Sequence, residues 1–72
     1  MAYNTKEDMK ALFVKSEEDG KLQFNDGIQG FEVAIVLPDN HHFSACKMNG
    51  TRKDKKELVQ TLFDTVCHAY NL

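Results

Sequence analysis

Five of the nine basic side chains in this 72-residue chain fall within ten positions: Lys47, Arg52, Lys53, Lys55 and Lys56. Four of them crowd the stretch Gly50 to Glu57, which opens the longest periodic segment of the sequence. A helix N-terminus carries partial positive charge and favours Asp and Glu in its first turn. Each cation placed there costs roughly 0.3 to 1 kcal/mol at an exposed site. An anion would reverse that cost, because backbone amides, helix dipole and cationic side chains can hold a phosphate together. Two other uses fit the same charges: a solvated helix end, and a docking patch for an acidic protein partner.

Other chemistry-bearing residues are sparser. His41, His42, Cys46, Cys67 and His68 are metal-ligand types. Cys67 and His68 are adjacent, so on a helix they point about 100° apart, a poor chelating geometry. Only His42 and Cys46 approach the spacing of zinc ligands. No metal and no cofactor are therefore expected; His41 and His42 suit a turn, and Cys67 suits a small apolar packing role. There is no nucleophile motif, Gly-rich phosphate loop or paired-carboxylate pattern, so the chain reads as non-enzymatic. Glu17-Glu18-Asp19 reads as a solvated helix end, remote from the basic run.

The composition sets the frame. A hydrophobic fraction of 42% with five Phe fits a globular chain. At this length the reading is one domain over residues 1–72, marginal alone, so that a homodimer or an obligate partner is expected. The net charge is −2. Two cysteines do not make a disulfide framework. No apolar run reaches membrane-spanning length, and Met1-Ala2-Tyr3-Asn4 lacks a leader core, which points to the cytoplasm. The chain reads as a complete small open reading frame.

The elements that must position these residues follow from periodicity. Residues 4 to 18 predict a helix: Asn4 or Thr5 as N-cap, Glu7 or Asp8 completing a capping box, Met9, Leu12, Phe13 and Ser16 on one face, and Gly20 at the C-cap. Lys21 to Phe24 alternates as a strand does, and Asn25-Asp26-Gly27 signals the hairpin turn. Residues 29 to 37 predict the strongest strand. Phe31, Val33, Ile35 and Leu37 share one face; Glu32, Ala34 and Val36 share the other. Pro38-Asp39-Asn40 is a turn. His41 to Met48 predicts a third strand, with Phe43 and Ala45 opposed to Ser44, Cys46 and Met48; either face could be the buried one. After Asn49-Gly50, Thr51 and Asp54 form a capping pair, and a helix runs to about Tyr70 with Leu58, Val59, Leu62, Phe63, Val66 and Tyr70 as its apolar stripe. The expectation is an α+β fold in the order αβββα. A three-stranded antiparallel meander would carry both helices on one face. The other face, with Glu32, Ala34 and Val36, would be free for water or for a contact.

In order and in local sequence the chain resembles the double-stranded RNA-binding domain, mainly over residues 31–66. Gly50-Thr51-Arg52-Lys53-Asp54-Lys55-Lys56 is similar to that family's strand-to-helix junction, Ser-Lys-Lys-x-Ala-Lys. Thr51 stands at the Ser position, Arg52 and Lys53 at the Lys pair, and Lys56 at the later Lys. The resemblance implies that Arg52, Lys53 and Lys56 grip phosphates across the major groove of A-form RNA. The link Asn25 to Gly30 lacks the Pro and His of the family's minor-groove element, and Lys55 replaces a small residue.

Two functional expectations result. The favoured one is a small non-enzymatic protein-interaction module, an inhibitor or accessory factor of the kind bacteriophages encode, because the net charge is negative. The other is a nucleic-acid or phosphate-backbone binding module. In either, Lys47, Arg52, Lys53, Lys55 and Lys56 supply the basic contact, and Glu32, Ala34 and Val36 offer a sheet-face contact.

Overall fold

A computed structural model describes residues 4–72. The reading of Met1 to Tyr3 as lacking a leader core lies outside them. The order is α1 (Lys6–Glu18), β1 (Leu22–Gly27), β2 (Gly30–Val36), β3 (His42–Met48), a 3-10 turn (Arg52–Asp54) and α2 (Lys55–Ala69). The strands form one antiparallel sheet in the order β1-β2-β3, so the fold is α+β and αβββα. Among the described residues no helix is long and apolar enough to cross a membrane.

Alternation in β2 decides the layering. Phe31, Val33 and Ile35 are wholly buried, as is Leu37 just beyond the strand. They meet Met9 and Phe13 from α1 and Leu58, Leu62, Val66 and Cys67 from α2 in one core. Both helices therefore lie against the same sheet face, and Glu32, Ala34 and Val36 turn to the other. The register carries this to β3: Val33 pairs with Ala45, Ile35 with Phe43 and Phe31 with Lys47. Phe43, Ala45 and Lys47 thus stand on the helix side, and Ser44, Cys46 and Met48 on the open side, which resolves the ambiguous strand. Cys67 packs in the core as a small apolar residue.

The helix ends follow their capping chemistry. Thr5 caps α1 by accepting from the Asp8 amide, so the helix begins at Lys6 and not at Asn4. At its C-terminus the Gly20 amide donates to the Glu17 carbonyl and the Lys21 amide to Ser16, with Gly20 at φ 73. That is the paired bonding of a Schellman end, which needs the left-handed residue. Asn71, at φ 59, plays the same part after α2: its amide donates to His68, and that of Leu72 to Cys67.

One turn differs from expectation. Asn25, Asp26 and Gly27 belong to β1, and the reversal falls at Ile28-Gln29, with Gly27 opposite Gly30. Gly30, on the β2 side of that reversal, has a φ of 154 that is open to glycine, and a Cβ there would overlap the Lys47 carbonyl on β3. The next turn matches expectation: Asn40 sits at φ 67, its amide donates to Leu37, and the Leu37 amide donates to His41. This is a three-residue hairpin loop with a bulge.

Candidate functional site

Thr51 organises the junction between β3 and α2. Its hydroxyl accepts from the Lys53 amide at 3.3 Å, and its own amide donates to Asp54 Oδ2 at 2.9 Å. The capping box closes a 3-10 turn, so the α-helix proper starts at Lys55, three residues beyond Arg52. Lys47, the last helix-side residue of β3, reaches into this junction. Its Nζ donates to Asp54 Oδ1 at 3.1 Å and to Glu57 Oε2 at 2.7 Å. The two carboxylates hold the Lys47 ammonium above its ordinary value, Glu57 first and Asp54 second. The Asp54 carboxyl is lowered, chiefly by the Thr51 amide and then by Lys47. The start of α2 therefore does carry acids, Asp54 at its N-cap and Glu57 in its first turn, and a lysine from the sheet bridges them.

Two of the other four cations are also engaged. Arg52 Nε lies 3.1 Å from Asp26 Oδ2 at the end of β1. Lys55 Nζ stands 4.5 Å from the centre of the Phe24 ring and 3.9 Å from Glu17 Oε2. Glu17 is one of the acids expected at a remote pole. The chain instead brings the C-terminal end of α1 beside the start of α2, and opposite charges meet. Among the described residues, Lys53 and Lys56 have no carboxylate within ion-pair reach. Of the five expected contact cations, three are spent on internal carboxylates and two face solvent.

The expected sheet-face residues lie together on the open side. Ala34 is flanked by Gln23 of β1 and Ser44 of β3, Glu32 by Asn25 and Cys46, and Val36 by His42. Met48 is 74% exposed and Val36 39% exposed. Ile28, at the tip of the first hairpin, is fully exposed.

A third cluster escaped the sequence reading. The Tyr70 hydroxyl, just after α2, donates to Asp39 Oδ2 at 2.7 Å and lies 3.0 Å from His41 Nδ1. A phenol has one proton, so with Tyr70 donating to Asp39 the His41 Nδ1 must carry hydrogen to complete the second bond. The Tyr70 bond, above all, lowers the Asp39 carboxyl. Tyr70 was legible only as an apolar stripe residue, because its polar tip meets residues 29 and 31 positions away.

The metal-ligand types are not brought together. His42 and Cys46 lie on the open face of β3, whereas Cys67 is buried. Among the described residues no three His, Cys, Asp or Glu side chains form a metal-holding group. Burial pushes the Cys67 thiol up, away from the thiolate a nucleophile needs. Comparison with family models, with curated proteins and with solved structures finds no match.

Proposed function

We propose that this chain is a small protein-interaction module, an inhibitor or accessory factor that binds a protein partner and catalyses no reaction. The observation that carries the reading is the internal pairing of the basic run. Lys47, Arg52 and Lys55 already satisfy Asp54, Glu57, Asp26 and Glu17, so a phosphate backbone would have to compete with the protein's own carboxylates. Beside that muted corner lies the open sheet face, with Ala34 and Val36 on its central strand and Met48 at its margin. Apolar side chains of this kind on a rigid sheet suit the core of a protein contact, with Gln23, Ser44 and His42 on the flanking strands as polar neighbours.

The test is capture of the partner with and without nuclease. A complex that survives nuclease and is lost in Ala34→Arg plus Val36→Arg supports the reading. A complex that dissolves with nuclease removes it. One observation favours the second reading, binding of a nucleic-acid backbone: among the described residues Lys53 and Lys56, three positions apart near the helix start, have no carboxylate partner. With two cations available, the salt dependence would correspond to about two phosphates, a log-log slope near −2.

A further inference from the structure

The hydrogen bonds at the two ends of the β2–β3 ladder determine which way β3 points its backbone. The Leu37 amide donates to the His41 carbonyl at 2.9 Å, and the Asn49 amide donates to the Gln29 carbonyl at 2.8 Å. Antiparallel ladders alternate, so Phe43, Ala45 and Lys47 spend their backbone groups on β2. The amides and carbonyls of His42, Ser44, Cys46 and Met48 face the other way, along the edge of the sheet. Among the described residues no hydrogen bond reaches them.

Proteins blunt such edges with proline, bulges or charge. β3 has no proline, and its register with β2 is unbroken from Met48 to His42. Its one charged side chain, Lys47, is drawn beneath the sheet to Asp54 and Glu57 and puts no free charge on the edge. The opposite edge is different. β2 gives its even-numbered residues to β1, so Leu22, Phe24 and Asp26 point their backbone outward there. That edge carries charge: Asp26 with Arg52 upon it, and Lys55 over the Phe24 ring.

We infer that the β3 edge pairs antiparallel with the β3 edge of a second copy of this chain, about a two-fold axis at Ala45, giving a continuous six-stranded sheet. An edge strand can bond only where outward residues meet outward residues. Centring on Ala45 does this for the whole strand, setting His42 against Met48 and Ser44 against Cys46. On the helix side the same register sets Phe43 against Lys47 and Ala45 against itself. No like charges meet, and the smallest helix-side residue of β3 sits on the axis. A foreign strand would satisfy the backbone equally, but only a second copy brings this self-matched row of side chains. The pairing goes beyond the partner reading, because the open face with Ala34 and Val36 stays uncovered in the joined sheet.

Sedimentation of the full chain over a dilution series tests it, with Ser44→Pro as the decisive variant. The Ser44 amide points outward, so proline there removes an edge donor and spares the ladder to β2. The wild type is expected to sediment as a dimer at high concentration and the variant as a monomer with an unchanged far-UV spectrum. A wild type that stays monomeric at every concentration, or a dimer that persists in a folded Ser44→Pro, overturns the inference. Should the variant fail to fold, amide exchange on the wild type decides. Protection of the Ser44 and Cys46 amides that rises with protein concentration supports the pairing, and rapid exchange at both overturns it.

Discussion

Lys47 Nζ lies 2.7 Å from Glu57 Oε2, and this contact ties the last helix-side residue of the sheet to the first turn of α2. Asp54 completes the arrangement from the capping turn at 3.1 Å. The pairing changes what the basic run means. A run of cations in the sequence becomes, in the fold, a helix start with two acids and a lysine clamp. All three side chains are partly exposed, so the clamp serves orientation more than bulk stability.

The clamp sets a pH signature. Lys47 is raised above its ordinary 10.5, so its contribution is full below that value and is lost as pH rises through the folded value. Asp54 is lowered from its ordinary 3.8, so its contribution is present above that value and is lost as pH falls through the folded one. Stability should be flat between these limits and fall modestly outside them. In Lys47→Met the alkaline fall should shrink, and the acid fall should shrink only in part, because the Thr51 amide, the larger influence on Asp54, is still in place. Urea midpoints across pH measure both.

Gly30 is the position where the first hairpin tolerates no side chain. Its φ of 154 belongs to glycine, and a Cβ would overlap the Lys47 carbonyl and crowd the Asn49 amide at 2.9 Å. Gly30→Ala should cost on the order of 1 to 3 kcal/mol for the backbone conformation alone, with the overlap added. Gly20→Ala meets open space, so it should carry only the left-handed penalty. Urea denaturation of the two variants should rank Gly30→Ala as the more damaging.

The contrast between these glycines shows where the sequence was readable. Gly20 ended an amphipathic run, and a local rule sufficed. The alternation of Phe31, Val33 and Ile35 likewise named the buried face of β2, because period-two burial needs no knowledge of the neighbours. Gly30 was opaque, since its constraint comes from the Lys47 carbonyl on the next strand. The Asp-Gly signal was then assigned the turn that belongs to Ile28-Gln29. The pairing at the candidate site was opaque for the same reason. The five cations were visible as a run, but their partners Asp26 and Glu17 come from other elements. Only the fold reveals that three of the five are paired.

Tyr70 should act as a latch between the end of α2 and the β2–β3 turn. Its hydroxyl holds Asp39, whose other oxygen accepts from the His41 amide at 3.1 Å. Tyr70→Phe keeps the ring, which lies 6.1 Å centre to centre from Phe43, and removes only the polar tip. The Asp39 carboxyl should then rise toward its ordinary value, because its largest lowering influence is gone. The His41 amide should exchange faster, while amides inside α2 stay unchanged. NMR titration and amide exchange read the two effects separately.

Releasing the paired cations should strengthen anion binding at the start of α2. Asp26→Asn, Asp54→Asn and Glu57→Gln together free Arg52 and Lys47 beside the already unpaired Lys53 and Lys56. Asparagine accepts hydrogen bonds as aspartate does, so the cap at Thr51 can persist in the variant. The net charge rises by three, and the added positive potential concentrates at the start of α2. Each further phosphate contact should steepen the log-log salt dependence of duplex binding by about 0.9. The triple variant is therefore expected to bind duplex DNA more tightly than the wild type at low salt, with a slope steeper by roughly one to two. Fluorescence anisotropy with a labelled duplex over a salt series measures this. Equal affinity and equal slope in the two proteins would show that internal pairing does not weaken phosphate binding at the basic run.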